Sequence, residues 1–248
     1  MNDSAESTLG AWRKSIDAEL ARAAESAQRL PPPLRDAVDY SLTGEGKRLR
    51  GLLLMASFDA VRRAAGTADS NGDASPLAAA VEVVHAYSLV HDDLPCMDDE
   101  NMRRGRMTTH RAFDVATATV AGVVMVPLAV RQTLRASRKL GLDDATSKRL
   151  VSLLMVASGA SGMVGGQLMD LEGEERVLSA GELEGVHRAK TGALITAAFA
   201  MGGIAGGGEP PAVDALTSAG EALGLAFQIA DDVLDATESS EALGKTAG

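Results

Sequence analysis

Long helix-forming segments that end at proline or glycine constrain the fold of this chain more than any other feature. Apolar residues recur at helical spacing, as Trp12, Ile16 and Leu20 do near the N-terminus, and alanine, leucine, valine and methionine are plentiful. Most of these side chains lose little rotamer freedom in a helix. No stretch keeps the alternation of apolar and polar residues that is typical of a strand. The sequence therefore predicts an all-α fold, with several long helices in one domain.

The bounds of the predicted helices follow from the residues that break them. Pro31 ends the first helix, and Pro95 ends the helix that leads into a strongly acidic stretch. Ser179 has Glu182 three residues on, which is the spacing of a capping box and predicts a helix start. The predicted helical segments are 8–28, 34 onward, 52–64, 77–93, 113–140, 143–162, 166–172, 183–205 and 212–237.

Charge and cysteine content argue against several classes of function. A chain with a net charge of -10 is repelled by nucleic acid and by anionic membranes, so an anionic substrate would need local basic groups or metal ions. Cys96 is the only cysteine, which excludes an intrachain disulfide and fits a reducing cytoplasm. The uncharged segments 115–130 and 191–208 contain Pro127 or many glycines, and we interpret both as buried core helices rather than membrane spans.

The stretch from His91 to Glu100 carries five acidic residues directly after an apolar helix. Asp92 and Asp98 are six residues apart, so they lie about 240° apart around a regular helix and cannot share one face. Pro95 breaks the helix and allows Asp98 to return towards the helix end. Carboxylates at a helix C-terminus meet the negative end of the helix dipole and need a cation nearby. The alternative to a site for a hard cation such as Mg²⁺ is a solvated acidic loop.

A second acidic cluster lies in the last predicted helix. Asp231 and Asp235 are four residues apart and share a helix face with Gln228, and Asp232 follows Asp231 directly. Like charges at this spacing destabilise a helix unless a metal ion or a basic group lies between them. If the two clusters face each other across a cavity, they could hold several divalent ions.

Three basic segments would complete a site for an anion. Each pairs basic residues with glycine, which lets the backbone approach a ligand, and the first precedes a helix start, which favours anions. Arginine makes bidentate contacts to phosphate, and lysine supplies a point charge. Each segment alone could be a surface patch, but together with the acidic clusters they suit a diphosphate. The segments are Glu45-Gly46-Lys47-Arg48-Leu49-Arg50, Arg103-Arg104-Gly105-Arg106 and Lys190-Thr191-Gly192.

In their order, these segments resemble the motifs of trans-isoprenyl diphosphate synthases, and the pattern is closest to the bacterial farnesyl diphosphate synthases and their geranylgeranyl relatives. The resemblance runs from about residue 44 to the end of the chain. The motifs that carry it are Gly46-Lys47-Arg48-Leu49-Arg50, Ser88-Leu89-Val90-His91-Asp92-Asp93-Leu94-Pro95-Cys96-Met97-Asp98, Arg103-Arg104-Gly105, Gly166-Gln167-Leu168-Met169-Asp170, Lys190-Thr191-Gly192 and Phe227-Gln228-Ile229-Ala230-Asp231-Asp232-Val233-Leu234-Asp235.

The resemblance implies the isoprenoid synthase fold, a helical bundle around a deep central cavity, normally as a homodimer. It implies Mg²⁺-dependent condensation of an allylic diphosphate, dimethylallyl or geranyl, with isopentenyl diphosphate. The implied Mg²⁺ ligands are Asp92, Asp98 and Asp231, with Asp93, Asp232 and Asp235 assisting. The implied isopentenyl diphosphate site is Gly46, Lys47, Arg50, His85 and Arg104, and the implied allylic site is Arg103, Lys190, Thr191, Gln228 and Lys245. Of these, Asp92, Asp98, Arg103, Lys190 and Asp231 are the predicted catalytic residues, and Thr191 and Gln228 are the neutral dipoles expected to face the allylic cation.

Product length in this family depends on the residues four and five positions before the first aspartate, which are Ser88 and Tyr87 here. An aromatic residue at the fifth position, with two extra residues inside the acidic motif, resembles enzymes that stop at farnesyl diphosphate. A helical wheel alone places Ser88, not Tyr87, in line with Asp92. Geranylgeranyl diphosphate is the alternative product. A non-catalytic partner subunit of a prenyl synthase is the alternative of another class, while a terpene cyclase and a Mg²⁺-dependent phosphohydrolase fit the motifs less well.

The chain departs from the family pattern in three places. Gly51 stands where proline is usual, and Val123 stands where an aspartate is usual. Family members also continue past Lys245 with another basic motif and further helices. We therefore expect residues 1–248 to form a single polyprenyl synthetase domain whose C-terminal helices are missing from this chain.

Overall fold

Helices form most of the chain in this computed structural model, which describes residues 2–67, 72–173 and 176–237, with the backbone alone at 2–4 and 235–237. Every predicted helical segment is helical for most of its length, and most bounds differ by a few residues from the prediction. The elements are α1 (Asn2–Glu25), α2 (Pro32–Leu42), α3 (Leu49–Ala64), α4 (Ser75–Asp92), β1 (Met102–Arg103), β2 (Arg106–Met107), α5 (Thr109–Ala112), α6 (Val115–Lys139), α7 (Asp144–Ser158), α8 (Met163–Gly173), α9 (Ala180–His187), a π-helical turn (Arg188–Gly192), α10 (Ala193–Ala205) and α11 (Pro210–Thr237).

Helices α6, α7 and α9 begin at residues whose side chains cap them. Asp114 and Asp143 each accept a hydrogen bond of 2.7 Å from the backbone N–H three residues further on. Ser179 and Glu182 form a reciprocal capping box at the start of α9, so the helix start predicted from their spacing is confirmed. These contacts satisfy backbone donors that have no partner within the helix.

Helix α4 lies in the core of the bundle and carries the first acidic pair at its C-terminal end. All residues from Ser75 to Val84 are buried, and the helix packs against α1, α3 and α6. An apolar surface on all sides is typical of a core helix. Helix α10 packs in the same way against α3, α7 and α11. Because α8 contacts both α4 and the π-helical turn, and α11 contacts that turn, these four elements meet at one end of the bundle.

A two-stranded hairpin is the one departure from the all-α prediction in the part of the chain that the structure describes. Met102 pairs with Met107 and Arg103 pairs with Arg106 in antiparallel register. The turn residues Arg104 and Gly105 have φ values of 53° and 73°, which is the backbone of a type I′ turn. The strands have two residues each and are too short to show an alternating pattern, so they could not be predicted.

The predicted helix 183–205 is divided by the π-helical turn, which carries Lys190 and Thr191. Gly166 of α8 lies directly against this turn, because a Cβ added to Gly166 would be 2.2 Å from the backbone nitrogen of Lys190. Only glycine allows two backbones to approach so closely. The distance between α8 and the Lys190 segment is therefore set by the Gly166 contact. A π-helical turn within a helix is frequently found at a functional site.

By length and composition alone, α6 and the span Asp144–Gly173 are apolar enough to cross a membrane. The second span is broken between Ser158 and Met163, where α7 ends and α8 begins. Helix α6 packs against α4, α2 and α7, and its face towards them is buried. Its opposite face exposes Val115, Val120 and Val123. Segment 191–208 is mostly buried within α10, as predicted.

Candidate active site

The first acidic cluster folds back on itself at the end of α4. Asp92 is the last residue of the helix, and the chain turns through Pro95 so that the Asp98 N–H donates to the Asp92 carbonyl oxygen at 2.9 Å. The Asp98 carboxylate accepts a hydrogen bond of 3.0 Å from Gln167 Nε2 in α8. The proline break thus brings together two carboxylates that a continuous helix would have kept on different faces.

The second aspartate of this pair makes a different contact. Asp93 is buried and forms an ion pair with Arg103 of the hairpin, with 2.6 Å between Oδ1 and Nη2. The cost of burying the Asp93 carboxylate raises its pKa, and the hydrogen bond from Arg103 lowers it. Asp93 therefore holds the first strand of the hairpin against the end of α4, and Arg103 is fixed beside Asp92.

The second acidic cluster is divided in the same way. Gln228 Nε2 donates to Asp232 Oδ1 at 3.0 Å, and His187 Nε2 lies 2.9 Å from Asp232 Oδ2. Thr191 Oγ1 donates to Gln228 Oε1 at 2.8 Å, so the π-helical turn and α11 are joined by a chain of polar contacts. Asp231, next to Asp232, faces a cavity instead.

Both clusters open into one cavity of about 280 Å³, which we call the charged cavity. It lies where α3, α4, α8, the π-helical turn and α11 meet. Nine of the residues predicted to bind substrate or metal line it: Arg50, His85, Asp92, Asp98, Arg103, Lys190, Thr191, Gln228 and Asp231. The structure therefore brings the acidic residues of α4 and α11 to one space, together with cations of three separate segments.

The electrostatics of the charged cavity suit a ligand of mixed charge. Burial raises the pKa of Asp92 to about 7; Lys190 opposes this rise, and Asp98 adds to it. Burial and the charge of Arg50, followed by other arginines, lower the pKa of His85 well below its ordinary value. At neutral pH, His85 is therefore a neutral hydrogen-bonding group among cations. Arg50 lines this cavity, and its Nε is buried with no hydrogen-bond partner in the described structure.

The donor set fits a hard divalent cation. Asp92, Asp98 and Asp231 line one cavity with their carboxylates, and burial, which raises the pKa of Asp92, disfavours its negative charge unless a cation is bound nearby. Within the described residues, no three His, Cys, Asp or Glu side chains converge closely enough to form a metal site. The role of these aspartates as Mg²⁺ ligands stays a prediction.

The remaining predicted residues lie elsewhere. Gly46, Lys47 and Arg104 line a separate outer cavity of about 710 Å³ between α1, the loop before α3 and the hairpin. The predicted isopentenyl diphosphate residues are thus divided between two neighbouring cavities. Asp235 is described by its backbone alone, at the end of α11, and Lys245 lies outside the described residues.

Two side chains of α8, in the motif from Gly166 to Asp170, belong to the site although the sequence assigned them no role. Gln167 holds Asp98, as described above, and Asp170 Oδ2 lies 2.5 Å from Lys190 Nζ. Both residues lie in a segment that resembles a family motif, and this resemblance was the indication of a role in the sequence. His187, whose Nε2 lies close to Asp232 Oδ2, had no signal in the sequence because nothing in the pattern places α9 beside α11.

A second, apolar cavity of about 260 Å³ adjoins the charged one between α4 and α8. Both Tyr87 and Ser88 line this apolar cavity. The residue indicated by the family pattern, Tyr87, and the residue indicated by the helical wheel, Ser88, therefore both belong to its wall. The Tyr87 ring packs edge-on against the His91 ring, with 4.8 Å between the ring centroids. Ser88, Asp92, Met163 and Gln167 line both cavities and mark their junction.

Comparison with known proteins identifies the family. Residues 31–248 match the model of the family described as polyprenyl synthetase. The chain belongs to this family. The prediction of a trans-isoprenyl diphosphate synthase, a trans-prenyltransferase, is therefore confirmed.

Relatives within the polyprenyl synthetase family include farnesyl and geranylgeranyl enzymes. A farnesyl diphosphate synthase of Micrococcus luteus is 41% identical over 215 residues, which is 87% of this chain and 70% of that protein. Geranylgeranyl pyrophosphate synthase 6 of Arabidopsis thaliana is 42% identical over 217 residues, 86% of this chain and 62% of that protein. The crystal structure of an FPP/GFPP synthase from Zymomonas mobilis superposes with a TM-score of 0.84 at 34% identity, covering 96% of this chain and 84% of that one. The predicted isoprenoid synthase fold is confirmed by this match.

Proposed function

We propose that this polyprenyl synthetase condenses an allylic diphosphate, dimethylallyl or geranyl, with isopentenyl diphosphate and releases farnesyl diphosphate. The observation that carries the proposal is that Asp92 and Asp231, the first aspartates of two separate acidic pairs, line one cavity with Arg103 and Lys190. An apolar cavity opens directly from it. The two cavities match the two halves of an allylic diphosphate, one anionic and one hydrocarbon.

The reaction needs a leaving group, an alkene and a base, and no side-chain nucleophile. The bond between the allylic carbon and the diphosphate oxygen breaks, and its electron pair leaves with the diphosphate. The alkene of isopentenyl diphosphate supplies the electron pair of the new carbon–carbon bond. A proton is then lost from the carbon next to the resulting cation, with the released diphosphate as the base, and a new double bond forms.

The basic residues of the charged cavity support the first step. Arg103 and Lys190 face the same space as the two aspartates, where they would neutralise charge on the departing diphosphate. Thr191 and Gln228 complete the allylic site, and Lys245 is the further expected contact. When Mg²⁺ is bound, it supplies Lewis-acid stabilisation of the leaving diphosphate. We propose Asp92, Asp98, Asp231 and Asp235 as its ligands.

Isopentenyl diphosphate is assigned to the other side of the charged cavity. Arg50 has an unpartnered buried Nε there, and neutral His85 can donate a hydrogen bond without adding charge. Gly46, Lys47 and Arg104 line the separate outer cavity, through which this substrate would enter. An acidic chain gains electrostatic attraction for an anion only from such local cations.

The apolar cavity supports farnesyl diphosphate as the product. Tyr87 lines the cavity from α4 and is braced by His91, so a growing chain would meet a bulky ring. Replacing this ring with a small side chain, as in Tyr87→Ala, should lengthen the product. Tyr40→Ala is the control, because Tyr40 lies beside the hairpin and lines neither of these two cavities. Geranylgeranyl diphosphate from the unaltered chain would favour the alternative product.

We further propose a cytoplasmic homodimer. Helix α6 exposes Val115, Val120 and Val123, the last with 58% of its surface accessible, and a second copy of the chain would cover this apolar row. Charged substitution of Val123 should then produce monomers in analytical ultracentrifugation. Cell fractionation tests the location.

The central experiment supplies purified protein with Mg²⁺, isopentenyl diphosphate and geranyl diphosphate and identifies the product by chromatography. We expect farnesyl diphosphate with Mg²⁺ and no product once the metal is chelated. Absence of elongation together with tight binding to a homologous synthase would favour a non-catalytic partner subunit instead.

A further inference from the structure

Gln167 has one end of its amide bonded and the other end free. Its Nε2 donates to Asp98 at 3.0 Å, whereas its Oε1 is buried with no hydrogen-bond partner among the described residues. The residue is 7% exposed. An unsatisfied buried carbonyl destabilises the fold, so a native structure that keeps one does so for a reason such as catalysis.

The orientation of this amide follows from its partner. The Asp98 carboxylate can only accept hydrogen bonds when ionised, so the NH₂ group of Gln167 must face it. The carbonyl oxygen consequently lies on the side of the amide away from Asp98. The negative end of the amide dipole is thus held in a fixed direction.

Gln167 also occupies a distinctive position. It is one of the few residues that line both the charged cavity and the apolar cavity. Its neighbour Gly166 is packed against the backbone of Lys190, so α8 cannot shift relative to the π-helical turn without a clash. Gln167 therefore stands at the junction where a diphosphate would meet its hydrocarbon chain.

The other glutamine of the charged cavity is already committed. Gln228 Oε1 accepts a hydrogen bond from Thr191, and Gln228 Nε2 donates to Asp232. Its dipole is engaged at both ends. Of the two glutamines in the charged cavity, Gln167 is the one whose carbonyl oxygen has no partner.

We infer that Gln167 is a catalytic residue whose carbonyl oxygen stabilises the positive charge that develops on the allylic carbon as the diphosphate leaves. The inference rests on the proposed prenyltransferase function. The reacting carbon sits between diphosphate and hydrocarbon, which is the junction that Gln167 occupies. A preoriented dipole in a site that excludes water stabilises such charge more effectively than water does. The hydrogen bond to Asp98 supplies the preorientation.

The test compares binding of two analogues of geranyl diphosphate in the presence of Mg²⁺ by calorimetry. One is an aza analogue that carries an ammonium centre in place of the cationic carbon, and the other is an unreactive neutral thiolodiphosphate. In Gln167→Met, which keeps length but removes the carbonyl, we expect the aza analogue to bind about tenfold or more weakly, with the thiolo analogue changed less than about threefold. The turnover number for geranyl diphosphate should fall by about tenfold or more.

A second variant separates the two ends of the amide. Gln167→Glu keeps an oxygen at the junction and loses the N–H that holds Asp98. Its added negative charge attracts the ammonium centre, so it should retain the preference for the aza analogue, although the lost hydrogen bond to Asp98 should raise its requirement for Mg²⁺. Two results would overturn the inference and show that Gln167 only positions Asp98. One is that both variants lose the preference for the aza analogue. The other is that Gln167→Met binds both analogues more weakly by the same factor.

Gln132→Met is the matched control, because Gln132 is also a buried glutamine that donates to a carboxylate, Glu19, and it lines neither cavity. It should leave the preference for the aza analogue unchanged. If the unaltered chain does not elongate geranyl diphosphate, the proposed function fails. If it elongates normally and Gln167→Met keeps the wild-type preference, only the present inference fails.

Discussion

Arg103 and Asp93 form an ion pair of 2.6 Å that directs the second aspartate of the first acidic pair away from the cavity that Asp92 lines. Asp232 accepts a hydrogen bond from Gln228 and lies close to His187, while its neighbour Asp231 faces the cavity. In each pair the first aspartate lines the charged cavity, and the second contacts a neighbouring element.

Removing the Asp93 charge should affect both stability and catalysis. In Asp93→Asn, Arg103 loses its ionised partner, and we expect the free energy of unfolding to fall by about 1–3 kcal/mol, since hydrogen bonds between charged groups are worth this much when partly buried. The Michaelis constant for the allylic diphosphate should rise, because Arg103 is no longer held beside Asp92. Urea denaturation and steady-state kinetics measure the two effects.

The control for this variant is Asp59→Asn, which breaks a more exposed pair with Arg63 on α3. Exposed pairs contribute about 0–1 kcal/mol. Equal effects of the two substitutions would show that the Asp93 pair has no special role.

His85 should make stability depend on pH. Its pKa in the folded protein lies well below the ordinary value, whereas the unfolded chain titrates near 6.5. Between these two values the unfolded state binds a proton that the folded state does not, so acidification below about pH 6.5 destabilises the fold. As the pH falls from about 7 to about 5.5, the unfolding free energy of the wild type should therefore decrease more than that of His85→Gln. A difference that is constant across this range would contradict the lowered pKa.

A diphosphate bound beside His85 should reverse this effect. Its negative charge would offset the arginines that lower the pKa of His85, so binding should take up protons. Calorimetry of isopentenyl diphosphate binding near pH 6 in buffers of different ionisation enthalpy measures this uptake. We expect less proton uptake in His85→Gln.

Gly122 should be intolerant of a side chain. A Cβ at this position would lie 2.2 Å from His91 Nε2, and the His91 ring also contacts the Thr119 carbonyl oxygen at 3.1 Å. We expect Gly122→Ala to lower the free energy of unfolding by about 1–3 kcal/mol through overpacking, despite the better helix propensity of alanine. Because Tyr87 packs on His91, the product distribution should change as well.

Gly10 offers the matched control for this change. It also lies within a helix, α1, but a Cβ there would meet nothing within 4 Å. Gly10→Ala should raise the free energy of unfolding by about 0.5–1 kcal/mol. Thermal denaturation of both variants checks the predictions, and a stabilised Gly122→Ala would refute the packing argument.

Gly51 should not be exchangeable for the proline that is usual in the family. Its N–H donates to the buried Glu82 Oε1 at 2.8 Å, and a Cβ would lie 3.0 Å from Ile16 Cδ1. Burial already raises the pKa of Glu82, and losing this hydrogen bond would raise it further. We expect Gly51→Pro to cost about 1–3 kcal/mol in unfolding free energy, measured by urea denaturation.

Gly181→Pro is the comparison for this substitution. Gly181 is likewise in the first turn of a helix, α9, and has open space around a new Cβ. Proline is tolerated in a first turn because the missing N–H has no partner there. A similar loss of unfolding free energy in both variants would show that proline itself, and not the lost contact with Glu82, destabilises the protein.

The helices and their caps could be predicted from the sequence because they depend on local periodicity and on neighbouring residues. The capping box of Ser179 and Glu182 and the break at Pro95 are both local features. The hairpin at Arg104 and Gly105 could not be predicted, since its two-residue strands depend on a turn conformation rather than on a pattern. The contact of Asp232 with His187 also joins two separate helices, so no spacing in the chain reveals it.

The sequence by itself determined which residue types are present and in what order, and this was sufficient for the family, the helical class and the two carboxylate clusters. Only the tertiary structure decided what the second aspartate of each pair contacts, that Gln167 stands between the charged and the apolar cavity, and that Gly46, Lys47 and Arg104 lie in an outer cavity. The reason is that the direction of a side chain depends on the neighbours packed against its helix. Two of those neighbours, α8 and α9, are brought beside the site by burial of the core and not by adjacency along the chain.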